Sequence, residues 1–412
     1  MVRSPYENLP AKSFWKSGVS ETTPNTVEHL WPRKFTIAPG MKVATAGSCF
    51  AQHIARFLRQ RGCDVIDAEP PPPGLDLQTA QSFGYLLYSA RYANIYSVRQ
   101  LLQLAREAYS NVPSTECVWE KGGRFYDAFR PSIEPNGLKT PSAVIEHRRE
   151  HLARVRTVLD GADVFVFTMG LTEAWINRTS GSVYPTAPGT IAGDYDPSVF
   201  AFKNFTFGEI YDDFVDFRTL LKQHNPDVRI LVTVSPVPLT ATATDKHVLV
   251  ATTYSKSVLR AVAGQLSDEF ADIDYFPSYE LIASPFSRAE FYEDNLRAVR
   301  EEGVRSVMRV FFGEPPSAGP TVSVSPSTGA AGDRPRRKSA GQTERGSDVA
   351  GPATPVSDGS SAANPVRSTT RKARRRARKM EMKAAISTDS ADKASNEAKV
   401  VCEEVLLEAF SR

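Results

Sequence analysis

Ser48 has the sequence surroundings of a nucleophile. It follows a predicted strand, 41–46, and precedes a predicted helix whose apolar residues repeat at helical spacing up to Gly62. The Ser48 amide and the unpaired amides of the first helical turn would point at whatever the hydroxyl attacks, forming part of an oxyanion hole. Gly47 lets the chain turn sharply before the serine. The alternative is that Ser48 only caps the helix.

Cys49 is a second candidate nucleophile. A thiol near the start of a helix has a lowered pKa, which favours the reactive thiolate. The alternative is a buried packing residue, the usual role of a free cysteine. The four cysteines of the chain lie far apart, without zinc-site spacing or a disulfide framework. We therefore expect reduced thiols, no metal and no cofactor.

Short apolar runs alternate with longer amphipathic stretches between residues 40 and 312, which predicts an α/β fold with a mostly parallel sheet. The five predicted strands are Met41 to Ala46, Cys63 to Asp67, Asp163 to Thr168, Val228 to Val234 and Asp272 to Phe276. About 95 residues separate the second strand from the third, far more than a crossover needs. This insertion, at about 68–162, contains two amphipathic patterns and is expected to form either a lid or a structural wrap.

Ligands of open parallel sheets bind outside the carboxyl ends of the strands, near the point where the strand order reverses. We therefore expect the polar residues that follow four of the predicted strands to converge. They are Gly47 to Cys49, Gly170 to Glu173, Ser235 to Val237 and Pro277 to Glu280.

His247 is the histidine best placed to act as a general base. It lies in the loop after the fourth predicted strand, and Asp245, Glu173 or Glu280 would supply the carboxylate that orients it. The alternative is a loop histidine without a catalytic role. His53 is expected to serve as surface or packing. Three others, His147, His151 and His224, are expected to be solvated.

Several short segments resemble the motifs of the GSCFA family, a bacterial group assigned to the SGNH/GDSL-type esterase and acyl-hydrolase superfamily. They are AGSCFA at 46–51, GLTEAW at 170–175, SPV at 235–237, YSK at 254–256 and YFPSYE at 275–280. Each motif is short, but their order and number make the resemblance specific over about residues 30–312. It implies a flavodoxin-like three-layer α/β/α fold with Ser48 as the nucleophile.

The resemblance also implies an oxyanion hole with departures from the superfamily pattern. The superfamily uses a glycine amide and an asparagine side chain, which correspond here to Gly170 and Thr172. A threonine hydroxyl is shorter and is a single donor. Gly84 or Asn94 in the insertion is expected to supply the missing donor.

This sequence also departs from the superfamily pattern at the usual Asp-x-x-His pair. The matching segment begins at Asp294 and ends at Arg297, and arginine cannot act as a base because its pKa lies above about 12. Arg297 is expected either to hold a substrate carboxylate or to pair with Asp294. The general base is therefore left to His247.

The last quarter of the chain differs from the rest in charge and composition. Residues before Pro315 carry 33 basic and 36 acidic side chains, whereas the remainder carries 17 and 11, and no aromatic residue occurs between Phe312 and Phe410. This predicts a disordered linker at 315–392, whose basic runs would contact nucleic acid or other anions weakly and without specificity. An amphipathic helix at 393–412 is expected to dock on a protein partner.

The remaining predictions concern organisation and activity. We expect an N-terminal extension at 1–39, a domain at 40–314, no membrane span and a cytoplasmic location. The predicted activity is a serine esterase or acyl hydrolase acting on a small-molecule or glycan ester, such as an O-acylated glycan. The alternatives are a polysaccharide O-acyltransferase and an inactive carbohydrate-binding or scaffold module.

Overall fold

The computed structural model describes residues 4–314, 400 and 402–410. Its strands are β1 (Lys42–Gly47), β2 (Asp64–Val65), β3 (Val118–Lys121), β4 (Arg124–Asp127), β5 (Val164–Met169), β6 (Glu173–Asn177), β7 (Val183–Tyr184), β8 (Phe200–Asn204), β9 (Arg229–Val234) and β10 (Ile273–Tyr275). Its α-helices are α1 (Ala51–Gln60), α2 (Leu77–Ser82), α3 (Val98–Ser110), α4 (Pro141–Gly161), α5 (Phe207–His224), α6 (Val248–Glu269), α7 (Ser278–Ala283) and α8 (Glu301–Phe312). Short 3-10 or π turns occur at Ala11–Ser13, Lys16–Ser20, Pro285–Ser287 and Glu403–Phe410.

A five-stranded parallel sheet forms the centre of the fold. Its strands lie in the order β10-β9-β5-β1-β2, and each of the five predicted strands is present. Counted along the chain within this sheet alone, the order is 2-1-3-4-5, the flavodoxin-like arrangement. The predicted α/β fold is confirmed. The strand order reverses between β1 and β5.

Helices cover both faces of the sheet because its central strands are apolar on both sides. In β5, Phe165 and Phe167 pack with α5 residues such as Phe214. The alternate residues Val164 and Val166 pack on the opposite face with α1 and α8. A strand that is apolar on both faces is stable only between two layers of helices, so the domain has three layers.

The segment between β2 and β5 contains α2, α3, the β3–β4 hairpin and α4. Helices α3 and α4 occur where the two amphipathic patterns predict them, with Ser97 and Thr140 as their N-caps. A small antiparallel sheet, β7-β6-β8, follows β5 and was not predicted from the sequence.

Part of the sequence-based prediction falls outside the described residues. The predicted disordered linker at 315–392 and its two basic runs lie there entirely. Of the predicted C-terminal helix, residues Glu403–Phe410 form a 3-10 helix. Among the residues that the structure describes, no helix combines the length and apolarity required to cross a bilayer.

Gly47 ends β1 in a conformation that only glycine adopts readily. Its φ is +134°, and a Cβ at this position would lie 2.4 Å from the carbonyl oxygen of Thr168. The two residues are partners in the β1–β5 register. The turn that presents Ser48 therefore lies directly against the neighbouring strand.

We expect Gly47→Ala to lower the free energy of unfolding by roughly 2 to 6 kcal/mol, because backbone strain and overpacking each cost about 1–3 kcal/mol. Gly40→Ala is the matched control, since Gly40 also has a positive φ, of +85°, but no atom lies within 4 Å of the position that a Cβ would take there. Urea denaturation of the two variants measures the difference. Equal losses would show that the contact with Thr168 contributes nothing.

Candidate active site at the end of β1

Ser48 lies at the carboxyl end of β1, beside the point where the strand order reverses. Its side chain is buried, with 2% of the residue exposed, and its Oγ forms no hydrogen bond with any described residue. A buried hydroxyl without a partner is costly, so such a group calls for a ligand, water or catalytic role. This is the place where ligands bind in flavodoxin-like sheets.

Gly170, the first residue after β5, lies against Ser48. A Cβ on Gly170 would be 3.0 Å from the Ser48 Cβ and 2.9 Å from the Tyr96 carbonyl oxygen. That carbonyl accepts hydrogen bonds from the amides of Gly170 and Leu171 at 3.0 and 3.1 Å. The absence of a side chain at Gly170 thus allows the insertion to approach the serine.

Three of the predicted oxyanion donors are engaged elsewhere. The Ser48 amide donates to the Thr168 carbonyl at 3.1 Å, and the Gly170 amide to Tyr96. The Thr172 hydroxyl donates to Asn204 Oδ1 at 2.6 Å. The amide of Cys49, in contrast, has no acceptor among the described residues. Of the amides predicted at this turn, that of Ser48 is used by the backbone, whereas that of Cys49 is available.

Gly84 and Asn94 of the insertion were the two residues predicted to supply the missing oxyanion donor. Of these, Asn94 is linked to the backbone of Ser48 through Tyr88. Its Oδ1 accepts from Gln52 Nε2 at 3.2 Å and from the Tyr88 hydroxyl, and Tyr88 also lies 3.1 Å from the Ser48 carbonyl oxygen. Gly84 instead uses its amide to donate to Gln81 at the end of α2.

His247 caps α6 and is exposed. Its Nδ1 accepts a hydrogen bond from the Leu249 amide at 3.1 Å, and no hydrogen bond joins it to Ser48 within the described part of the chain. Asp245 is also exposed, and it forms no ion pair with His247 among the described residues. The assignment of His247 as the general base stays a prediction.

The other predicted carboxylates bond to partners other than His247. Glu280 pairs with Arg260 and accepts from the Tyr275 hydroxyl at 2.7 Å. Glu173, buried at the start of β6, accepts from Thr242 at 2.8 Å, and burial raises its pKa. Neither carboxylate is hydrogen-bonded to an imidazole.

The prediction that His151 is solvated was wrong. The ring is buried on the inner face of α4, where its Nδ1 lies 2.7 Å from Glu69, and burial lowers its pKa to about 4. His53 is packed against Phe50, and burial lowers its pKa to about 3. Neither histidine is hydrogen-bonded to Ser48.

Lys256 is a site residue that the sequence reasoning missed. It lies on α6 with only 3% of its surface exposed, and its Nζ donates to the Gly170 carbonyl oxygen at 2.6 Å. Burial lowers the pKa of Lys256 to about 8, although the Glu404 carboxylate acts to raise it. Because Gly170 touches Ser48, this amine is held close to the serine. The sequence signal that could have identified Lys256 was its place in the YSK segment at 254–256.

Arg297 binds a carboxylate, but not that of Asp294. Its Nη2 lies 3.2 Å from Glu404, and its Nε donates to the Pro238 carbonyl at 3.2 Å. Asp294 is fully exposed and lies 3.5 Å from Arg300 instead. The Arg297 guanidinium therefore pairs with a carboxylate of the chain itself, and its predicted binding of a substrate carboxylate stays a prediction.

The C-terminal segment, Cys402–Phe410, contacts residues that surround Ser48, among them Cys49 and Asn94. Glu403 is buried, and its carboxylate accepts from Asn94, from the Tyr96 hydroxyl at 2.8 Å and from the Ser132 hydroxyl at 2.6 Å. Glu404 is buried as well. A cavity of about 170 Å³ lies next to the segment, with Glu173, Trp175, Tyr184, Thr242, Glu403, Glu404 and Leu407 in its wall.

Cys49 does not have the lowered pKa that the sequence predicted. Its thiol is buried and hydrogen-bonded to Cys402, and both effects raise the pKa of Cys49. The pKa of Cys402 is lowered to about 6, first by the bond to Cys49 and then by Arg297. The helix-start argument failed because a second thiol competes for the negative charge.

Comparison with known families agrees with the motifs in the sequence. Two crystal structures are similar over 65% of this chain and 92% of theirs, each at 9% identity. One is a carbohydrate esterase family 3 protein from Talaromyces cellulolyticus, with a TM-score of 0.30, and the other is a mutant acetyl esterase with acetate ion, with a TM-score of 0.29. Comparison with curated proteins gives no match. The sequence profile of the GSCFA family matches residues 42–311, and the chain therefore belongs to the GSCFA family.

Proposed function

We propose that the protein is a serine ester hydrolase of the SGNH type in which Ser48 is the nucleophile. The observation that carries this proposal is the buried Ser48 hydroxyl, which lies at the sheet's switch point without a hydrogen-bond partner among the described residues. A hydroxyl held in this way is ready to attack a carbonyl carbon bound in front of it.

The reaction has two steps. Ser48 Oγ forms a bond to the ester carbonyl carbon, the alcohol leaves, and the serine proton passes through a base to the departing alkoxide. Water then attacks the acyl-serine, gives its proton to the same base, and releases a carboxylic acid and free Ser48. Each step requires one base near the hydroxyl.

Lys256 is the base that the contacts favour. Its amine is hydrogen-bonded to Gly170, and Gly170 touches the serine. The neutral amine can accept the serine proton, and burial makes the neutral form more accessible because it lowers the pKa of Lys256 to about 8. His247, the base predicted from the sequence, is exposed and forms no hydrogen bond to Ser48 among the described residues.

Stabilisation of the oxyanion is assigned to Cys49 and Asn94. The Cys49 amide has no acceptor among the described residues, and the start of α1 carries the positive end of the helix dipole. The Asn94 side-chain amide donates to the Glu403 carboxylate, so it already binds an oxyanion in front of the serine. Together they replace the glycine and asparagine donors of the superfamily.

An O-acylated glycan is the proposed substrate. Trp175 and Tyr184 contribute aromatic surface to the cavity next to the C-terminal segment, and Thr242 and Glu173 contribute polar groups. Apolar walls with a few polar groups that fix orientation are the usual composition of a small-molecule site. Acetate release from an O-acetylated polysaccharide, with and without added sugar acceptors, separates hydrolysis from acyl transfer.

A fluorophosphonate probe tests the nucleophile and the base together. We expect the probe to modify Ser48, Ser48→Ala to remove the adduct, and Lys256→Met to slow labelling and ester hydrolysis by at least about 100-fold, the usual size of a general-base effect. His247→Gln is the control and is expected to change the rate less than threefold. Peptide mass spectrometry locates the adduct, and circular dichroism checks the fold.

These variants distinguish Lys256 from His247 as the base and test Ser48 as the nucleophile. A large loss in His247→Gln, with Lys256→Met unaffected, would return the base to the histidine. Absence of any adduct on Ser48 in folded protein would favour the binding-module interpretation.

The pH dependence is an independent test of the lysine. We expect kcat/KM to rise with pH and to level off above about 8, because the neutral amine is the active form and burial lowers the pKa of Lys256 to about that value. The charged or titrating groups that act on this amine are Glu404, Cys49, Arg297 and Cys402. An imidazole base would place the rise near its ordinary value of about 6.5. A rise centred there would contradict the assignment.

A further inference from the structure

We infer that the site in front of Ser48 recognises a carboxylate-bearing ligand, with an O-acylated, uronate-containing glycan as substrate, and that Glu403 and Glu404 occupy it as a tethered competitor. The substrate part of this inference rests on the proposed function. The ligand part does not, because it concerns binding alone.

Two carboxylate positions are built by the body of the domain. The first is formed by Asn94, Tyr96 and Ser132, which converge on Glu403 from different parts of the insertion. The second is formed by Arg297, which lies 3.2 Å from Glu404 near the end of the domain. Hydrogen bonds from three neutral donors and a charged guanidinium are the means by which proteins bind carboxylates.

The charge balance of the site requires an anionic occupant. Lys256 is buried and Arg297 is half-buried, and Glu404 is the carboxylate that acts most strongly on the lysine. Cys402 and Glu404 together raise the pKa of Arg297, which shows the same compensation. A neutral ligand in place of the segment would leave Arg297, and Lys256 when it is protonated, without a carboxylate. An uncompensated buried charge is strongly unfavourable, so Arg297 favours a replacement that carries negative charge.

The segment is bound through its acids and not through an apolar face. Val405, Leu406 and Phe410 are 44%, 48% and 68% exposed, whereas Glu403 and Glu404 are buried. An amphipathic helix that docks in the ordinary way buries its apolar residues. The pattern found here therefore reflects what the site binds, and the site binds carboxylates.

The segment binds groups that the proposed reaction at Ser48 requires. Ser48 is 2% exposed, and Glu403 holds the Asn94 amide proposed for the oxyanion. The Cys402 thiol touches Cys49, the residue next to the serine. A substrate ester must enter where these groups lie, so its own carboxylates would have to displace Glu403 and Glu404.

The first experiment measures docking of the segment by cross-linking in the full chain. Diamide takes up the two thiol hydrogens as a disulfide forms, and we expect it to join Cys49 to Cys402. Glu403→Gln/Glu404→Gln is expected to slow this cross-link at least fivefold, because neutral amides replace both carboxylates. Leu406→Gln, a change on the exposed side of the segment, is the control and should cross-link like the parent chain. Cys402→Ser should give no cross-link.

The second experiment measures ligand charge directly. Trigalacturonate and its neutral methyl ester are titrated by calorimetry into Glu403→Gln/Glu404→Gln, and we expect the acid to bind at least tenfold more tightly. Arg297→Gln in the same background should remove most of that preference. The parent chain should bind the acid more weakly than the double variant, because its own glutamates compete.

The rate at which the probe labels Ser48 tests whether binding of the segment limits access to the serine. The double variant is expected to react with the fluorophosphonate probe at least fivefold faster than the parent chain, and Leu406→Gln at the parent rate. The single variant Glu404→Gln is a less disruptive substitution than the double variant, and circular dichroism checks that it is folded.

The outcomes separate this inference from the proposed function. Equal binding of acid and methyl ester, or a double variant that cross-links as fast as the parent, would overturn the inference even if Ser48 is labelled. Failure to label Ser48 in every variant, with acid-selective binding intact, would remove the hydrolase proposal and leave a carboxylate-binding site.

Discussion

The close contact between the ends of β1 and β5 is the constraint on which the site depends. Gly47 lies against the backbone of Thr168, and Gly170 lies against the side chain of Ser48. A Cβ at either glycine would meet backbone or the serine at 3.0 Å or less. This contact places the serine at the switch point and fixes which amides are used by the backbone. It also brings Tyr96 of the insertion to the serine, so the site is completed by a segment that is not part of the sheet.

The second constraint is electrostatic. The resemblance of the sequence to SGNH enzymes would place the histidine of an Asp-x-x-His pair at position 297, and this chain has Arg297 there. An arginine cannot exchange a proton at neutral pH, but it can hold an anion. Arg297 thus provides a partner for the Glu404 carboxylate and no proton acceptor. In the proposed function the buried Lys256 is the proton acceptor, and Glu404, the carboxylate that Arg297 binds, acts on its charge.

The fold and the nucleophile could be predicted because their signals are local. The run Val164–Met169 is apolar on both faces, and the pairing of a glycine with a serine after a strand marks the turn. Strands β6 and β8 were missed because most of their residues are partly exposed, and β7 because it contains only two residues. The remaining site residues escaped for a different reason. A lysine or a pair of glutamates on a helix is ordinarily solvated, and only tertiary structure shows that Lys256 and Glu403 are buried.

The buried glutamates are a feature of the C-terminal segment that periodicity could not predict. Val405 and Leu406 are about half exposed, and the docking of this segment on a protein partner stays a prediction. Burial of apolar surface contributes about 25 cal/mol per Å², and a segment of this length offers little of it. Charge-assisted hydrogen bonds to an arginine and to three neutral donors supply the alternative, and they form only where the domain has already gathered those donors. The position of the segment is therefore set by the recognition properties of the site, and a ligand that satisfies the same donors would exchange with it.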